Sequence, residues 1–313
     1  MLYVIKRILA TIPVMVVVAL FVFFIIRLGP GDPASVIAGD YATAEDIEEI
    51  RIKLGLADPI HVQMGKWMVQ LASGDLGHSY HSNLQVTTLI SQRLEPTLLL
   101  AASTIILTVL VAIPLGTLAA YKAGSWIDKF VMVFSVAGFS IPVFVLGYIL
   151  VYFFAMELRW LPVQGYKSPF EYGILPFLKH ITMPAVTLSV IYIALISRMT
   201  RASVVEVLNE DYVRTARAKG QSEFKILLRH ALRNAAVPIV TVLGISVALM
   251  IGGVVVTESV YNVPGLGRLV LDAVLARDYG VIQGLILFFS FIYIFINLLI
   301  DLSYTFIDPR IRY

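Results

Sequence analysis

Six cations crowd one short stretch of this chain, 211–239, DYVRTARAKGQSEFKILLRHALRNAAVPI: Arg214, Arg217, Lys219, Lys225, Arg229 and Arg233. Such a run does electrostatic rather than covalent chemistry, drawing anionic headgroups, an acidic protein face or a nucleic acid. Nucleic acid is disfavoured, because a single aromatic residue, Phe224, falls between the bases and apolar runs crowd both sides. Covalent chemistry has no home elsewhere. The absence of cysteine removes disulfides, thiol nucleophiles and thiolate metal ligands. The five histidines are His61, His78, His81, His180 and His230. His78 and His81 have a spacing that could share a metal, but no third ligand stands near them, so a metal is not assigned. No G-x-x-x-x-G-K-[ST] phosphate cradle, no H-E-x-x-H pattern and no Ser-His-Asp arrangement is evident. The chain is therefore expected to be no enzyme and to bind no cofactor of its own.

The elements around the cations are apolar. Hydrophobic residues make up 58% of the 313 and charged ones 14%, against about 45–50% and 25% in soluble domains. Mean hydropathy is +0.85. A helix needs about 20 apolar residues to cross the hydrocarbon, and six runs qualify, near 8–28, 97–121, 130–156, 180–200, 236–257 and 281–307. The expected fold is an all-α, multi-pass integral membrane protein of six transmembrane helices. Lys6 and Arg7 before the first run suggest a signal peptide, but Ile8–Ile26 exceeds a signal core and no small-x-small site follows. With the N-terminus inside, 14 of the 24 Lys/Arg fall on cytoplasmic segments and 14 of the 21 acids outside. That asymmetry places both termini in the cytoplasm.

Three parts follow: the first transmembrane helix (1–28), an extracytoplasmic segment (29–96), and a five-helix core (97–313) that includes a cytoplasmic loop, 201–235. GPGDP at 29–33 must end the first span. Thr43 offers an N-cap to AEDIEEIRIKLG, and Gly55 a stop. After Pro59, the residues Ile60, Met64, Trp67, Met68 and Leu71 share a helical face. Two such short helices lack a core of their own and should lie on the membrane or the spans.

In the loop, Asp211 is a candidate N-cap, Gly220 a stop, and Ser222 the cap of a second helix with apolar face Phe224, Leu227, Leu228, Ala231 and Leu232. Ala216 and Gly220 form a small-xxx-small pair at the tip. Two readings stay open on composition: a loop resting on anionic membrane lipid, or a plug for a cytoplasmic partner. Prolines and glycines interrupt the later spans, and such breaks suit either helix packing or a water-filled path. The candidate path residues are Ser135, Gly138, Ser140 and Pro142 in the third span and Thr241, Gly244, Ser246, Gly252 and Gly253 in the fifth. No span carries a charge near its centre, which counts against a secondary carrier. A carrier or channel remains the rival of a different class.

The stretch resembles the EAA loop (E-A-A-x-x-x-G-x₉-I-x-L-P) of ATP-binding-cassette importer permeases. It reads Arg214-Thr215-Ala216-x-x-x-Gly220, with Leu232 at the later leucine. Arg214 replaces the glutamate, Thr215 the first alanine, His230 the isoleucine and Arg233 the proline. GDLGHS (74–79), RMTRAS (198–203), TESVYNVPGLGRL (257–269), RDYGVIQG (277–284) and DPRIR (308–312) are similar to the dipeptide/oligopeptide/nickel/glutathione branch, in particular to its first ("B") permease. The resemblance implies a type I permease fold in a bacterial inner membrane and a heterodimer with a paralogous second permease. It also implies two cytoplasmic ATP-binding-cassette subunits that use ATP and Mg, and an extracytoplasmic substrate-binding protein. ATPase coupling then falls to Arg214, Thr215, Ala216, Arg217, Ala218, Lys219, Gly220, Gln221 and Ser222, although Arg214 leaves the family glutamate's contacts without a counterpart. Pro264, Gly265, Leu266 and Gly267 become an outer gate or binding-protein contact, or a plain turn. The implied cargo is a dipeptide or short oligopeptide, with glutathione, a nickel chelate or a haem-like ligand as alternatives.

Overall fold

Helices organise the described residues, 2–28, 33–38, 42–53 and 55–307 of this computed structural model, and no strand occurs among them. The turn at 29–32 and DPRIR (308–312) lie outside the described residues. The first apolar run is one helix, α1 (Leu2–Leu28), followed by α2 (Pro33–Ala38), α3 (Ala44–Lys53) and α4 (Ile60–Ala72). Thr43 caps α3 as expected. Its hydroxyl accepts the Asp46 N–H at 3.3 Å, and the Asp46 carboxylate accepts the Thr43 N–H at 2.9 Å. The Thr43 hydroxyl also donates to the Asp46 carboxylate at 2.7 Å, and this bond, with that from the Thr43 N–H, holds the Asp46 carboxyl below the usual carboxylate range. Gly55 turns the chain at φ +67°.

α5 (Val86–Tyr121) keeps Pro96 and Pro114 within one continuous helix. α6 (Trp126–Ser140) and α7 (Val143–Leu150) follow, α7 continuing as π-helical turns over Val151–Glu157. The run read as a single third crossing is thus two pieces meeting at 102°. Pro142 is the cause: it drives Ile141 to extended backbone (φ −88°, ψ 119°), and α6 cannot continue. The order closes with α8 (Pro169–Tyr172), α9 (Ile174–Leu208), α10 (Asp211–Ala218), α11 (Glu223–Lys225), α12 (Ala236–Val260), α13 (Leu266–Leu275) and α14 (Tyr279–Ile307). Among the described residues α5, α9, α12 and α14 are long and apolar enough to cross a membrane, and the bent α6–α7 pair makes up to five. α1 adds a shorter apolar stretch, Leu9–Phe24.

The chain divides into two compact units, one of residues 1–95 and 268–295, the other of 96–267 and 296–313. In the first, Trp67 and Leu71 of α4 pack, half-buried, on Ala19 and Val22 of α1 and Leu287 of α14, so part of this helix's apolar face rests on the spans. Two motifs 199 positions apart prove to be one joint: the Ser79 hydroxyl donates to Asp278 Oδ2 at 2.5 Å, and the Tyr80 N–H reaches Oδ1 at 3.2 Å.

In the second unit α9 is the centre, with 67% of its most apolar stretch buried against 22% for α5 and 28% for α12. Leu188, Ile193 and Ile196 of α9 interlock with Leu100 of α5 and with Met250 and Val254 of α12. Lipid tails are as apolar as leucine, so such contacts gain from close packing rather than from water exclusion. Small side chains permit it: Gly116 of α5 sits against the Ser197 carbonyl and Thr200 with no room for a Cβ.

Candidate functional site

The basic stretch folds as a helical hairpin between α9 and α12. Glu210 is the N-cap of α10, its backbone extended and its side chain making no capping bond; Asp211 instead occupies the first helical turn, where the helix dipole favours an acid. α10 ends through Lys219 into Gly220 at φ +75°. The Gly220 N–H bonds the Arg217 carbonyl at 2.9 Å and the Gln221 N–H that of Ala216 at 3.2 Å. A non-glycine residue in this left-handed conformation costs about 1–2 kcal/mol. Space is not the constraint, since a Cβ at Gly220 would meet nothing within 4 Å.

The hairpin has a small core of its own. Val213, Ala216 and Ile226 are buried together against Val207 and Leu208 of α9. Ala216 therefore faces inward, and of the expected small pair Gly220 alone is open at the tip. Ser222 takes cap backbone geometry before α11 without a side-chain capping bond. The second arm then winds as π-helical turns over Ile226–Leu232. The expected apolar face presumed a 3.6-residue period. A π-helix brings i and i+5 together instead, so Ile226 and Ala231 are fully buried while Phe224 is 73% and Leu228 48% exposed.

Electrostatics hold the turn and leave its rim cationic. Arg217 bridges the glycine turn to Glu223, with contacts of 2.9 and 3.3 Å. Arg214, 70% exposed, reaches Asp211 at 3.2 Å. The Thr215 hydroxyl donates to the Asp211 carbonyl at 3.0 Å. Gln221 lies 2.8 Å from His230 Nε2, and Asn234 donates to the Tyr212 hydroxyl at 2.9 Å. Ala218 and Lys219 are exposed. All nine coupling candidates thus share one hairpin, presenting cations and uncovered apolar groups around a bare glycine.

Sequence reasoning missed the anchor beneath it. Arg201, near the end of α9, pairs with Asp128 at the start of α6: Nε contacts Oδ1, and NH2 donates to Oδ2 at 2.7 Å. Asp128 also accepts the Gly124 N–H at 2.9 Å, and its carboxyl is held below the usual range chiefly by Arg201. The signal was present in Ser125-x-x-Asp128, a capping pattern whose Ser125 oxygen accepts the Asp128 N–H.

The path candidates do not converge. Ser135 lies 3.3 Å from Ser197, and Gly138 faces Ala194 and Val190, so both belong to the α6–α9 contact. Ser140 is exposed, with its hydroxyl returned to the Val136 carbonyl at 3.0 Å, and Pro142 marks the break. Thr241 and Ser246 bond the Val237 and Val242 carbonyls of their own helix. Gly244 abuts Ile300 and Gly253 abuts Leu188, whereas Gly252 faces open space. Ser246 also lines a cavity of about 10 Å³ with Thr108 and Tyr192, neither of which the sequence singled out.

The loop after α12 is built in. Tyr261, Val263, Gly265, Leu266 and Gly267 are buried and Pro264 is exposed. The Tyr261 hydroxyl lies 2.7 Å from that of Thr187 and donates to the Gly147 carbonyl at 3.2 Å. His81 Nε2 lies 2.7 Å from the Ala276 carbonyl, and no cluster of three metal-ligating side chains occurs among the described residues.

Known proteins share this architecture. An inward-facing structure of the MetNI methionine ABC transporter superposes with a TM-score of 0.58 at 16% identity, covering 71% of this chain and 97% of that one. Protein y4tP of Sinorhizobium fredii, named for a peptide ABC transporter permease, is 54% identical over 99% of both chains. A Brucella abortus protein named for a peptide transport system permease is 44% identical over 99% of this chain and 98% of its own. The glutathione transport system permease GsiC of Salmonella paratyphi A is 43% identical over 99% of both. Residues 112–313 match the binding-protein-dependent transport system inner membrane component, and 1–101 match the N-terminal region of such components. With matches along its whole length, this chain belongs to the family of multi-pass inner-membrane permeases of binding-protein-dependent ABC importers.

Proposed function

We propose that this chain forms half of the pathway of an ATP-driven importer of dipeptides or short oligopeptides, with the hairpin at 211–235 as its contact to two cytoplasmic ATPases. The observation that carries the proposal is the hairpin: a self-packed lever with a bare, left-handed Gly220 and a cationic rim, joined directly to α9 and α12. A second, similar permease completes the pathway, and an extracytoplasmic binding protein delivers cargo. ATP and Mg stay with the ATPases. Six crossings with both termini cytoplasmic follow if α1 and the bent α6–α7 pair each span once, and the distribution of Lys/Arg supports that topology. Closure of the ATPases would move the hairpin and its spans as a rigid body.

Peptide cargo rests on the relatives' names, and the GsiC relative makes glutathione, itself a small peptide, the second reading. Uptake of a labelled dipeptide into proteoliposomes holding both permeases and both ATPases should require ATP and the binding protein. Uptake that persists without nucleotide would replace the importer with a carrier or channel. Binding of glutathione but not dipeptide by the partner protein would move the cargo to the second reading.

A further inference from the structure

TESVYNVPGLG contains a buried carboxylate that belongs neither to the hairpin nor to the candidate path residues. Glu258 is fully buried at the end of α12. Its Oε1 accepts the Thr97 hydroxyl at 2.6 Å, and the Thr97 oxygen accepts the Leu266 N–H at 2.8 Å. Glu258 also supplies its backbone carbonyl to the Val263 N–H at 2.9 Å. The glycines of the loop are shaped around this group. A Cβ on Gly265 would overlap the Glu258 carboxylate, and one on Gly267 would sit 2.6 Å from Val255 Cα and 3.1 Å from Glu258 Oε2. Burying a carboxylate is costly unless hydrogen bonds satisfy it, and a glutamine would fill the same space without the charge. Together these hydrogen bonds tie three segments: the end of α12, the loop 261–267, and α5 at Thr97.

The opposite end of α12 begins where the hairpin ends. Its 25 residues run without interruption from Ala236 to Val260, a rod of about 37 Å at 1.5 Å per residue. We propose that the Glu258–Thr97–Leu266 clasp makes the loop 261–267 move as part of α12, so that Glu258 and Thr97 are positioning residues transmitting hairpin displacement to the opposite face of the membrane. This inference rests on the hairpin being the ATPase contact.

The chain lacks cysteine, so a single Pro264→Cys at the exposed loop position can report on the loop in the assembled importer. Labelling by a membrane-impermeant maleimide is measured with and without ATP–vanadate, together with uptake per ATP hydrolysed. In the Pro264→Cys parent the labelling rate changes on nucleotide trapping. Added Thr97→Val, which removes the hydroxyl at constant volume, should make labelling independent of nucleotide and cut uptake per ATP at least about fivefold, the lower edge of typical coupling between sites. Glu258→Gln, which keeps the Oε1 acceptor, should instead leave labelling and uptake near the parent's. Thr97→Ser restores both. Nucleotide-dependent labelling and unchanged uptake per ATP in Thr97→Val would overturn the clasp while leaving the hairpin reading intact. A parent whose labelling ignores nucleotide would overturn both. Failure of Thr97→Val and Glu258→Gln alike to assemble would make the clasp a folding element and overturn its transmitting role.

Discussion

Gly220 separates what the hairpin needs from what its partner needs. In the isolated chain a Cβ there meets nothing within 4 Å, and the cost of substitution lies in the backbone, held at φ +75°. Asparagine tolerates this conformation and should cost a few tenths of a kcal/mol, whereas alanine and arginine each pay about 1–2 kcal/mol. That penalty is local to an exposed turn and should leave the spans assembled. Docking is a different matter. If an ATPase surface closes over the tip, Gly220→Arg inserts a long cation where no side chain stood, and burying it unpaired opposes association by well over the 1.4 kcal/mol that corresponds to tenfold. Co-purification of the ATPases with the permease pair in detergent, followed by uptake in proteoliposomes, reads the series. Gly220→Asn should behave as the parent, Gly220→Ala should weaken copurification modestly, and Gly220→Arg should lose at least about tenfold with the permease pair still intact. Normal copurification and uptake in Gly220→Arg would refute the tip as the point of closest approach, and with it the plug geometry.

Asp128→Asn should destabilise the complex by about 2 kcal/mol, below the 3–5 typical of a broken buried pair, because the Arg201 side chain is 27% exposed. Because Arg201 depresses the Asp128 carboxyl, the pair's contribution is complete above about pH 5 and is lost only as pH falls through a folded-state pKa below the usual carboxylate range. Thermal melts from pH 7 to pH 3 should show this acid loss in the parent and less of it in Asp128→Asn; equal acid sensitivity would remove the pair from the account. Ile226→Ala, at a fully buried site, should cost about 2–4 kcal/mol and open the hairpin to limited proteolysis. Phe224→Ala, mostly exposed, should leave proteolysis unchanged yet weaken ATPase copurification; identical protease patterns for the two variants would contradict the π-helical register. Gly252→Trp has open space and should assemble, slowing uptake if that face lines the path, whereas Gly253→Trp drives into Leu188 and should impair assembly. Unchanged uptake in Gly252→Trp would remove Gly252 from the path.

The long hydrophobic runs by themselves determined that this chain is a bundle of membrane helices, because a continuous apolar run of about 20 residues matches a spanning helix, which satisfies its own backbone groups, and not the shorter alternating strand of a barrel. Placement of the charges determined where the basic hairpin falls between two runs, and Gly220 determined its turn, both being local properties of the chain. Tertiary structure alone decided which small residues face which neighbour. Gly138 and Gly253 read alike in sequence with Gly252, yet two of them are packing surfaces and one is open. It also decided the π-helical register that buries Ile226 in place of Phe224, the meeting of Ser79 with Asp278, and the clasps of Asp128 with Arg201 and Glu258 with Thr97. Each of these joins positions far apart in the chain or departs from the ideal 3.6-residue period, and periodicity carries no information about distant partners.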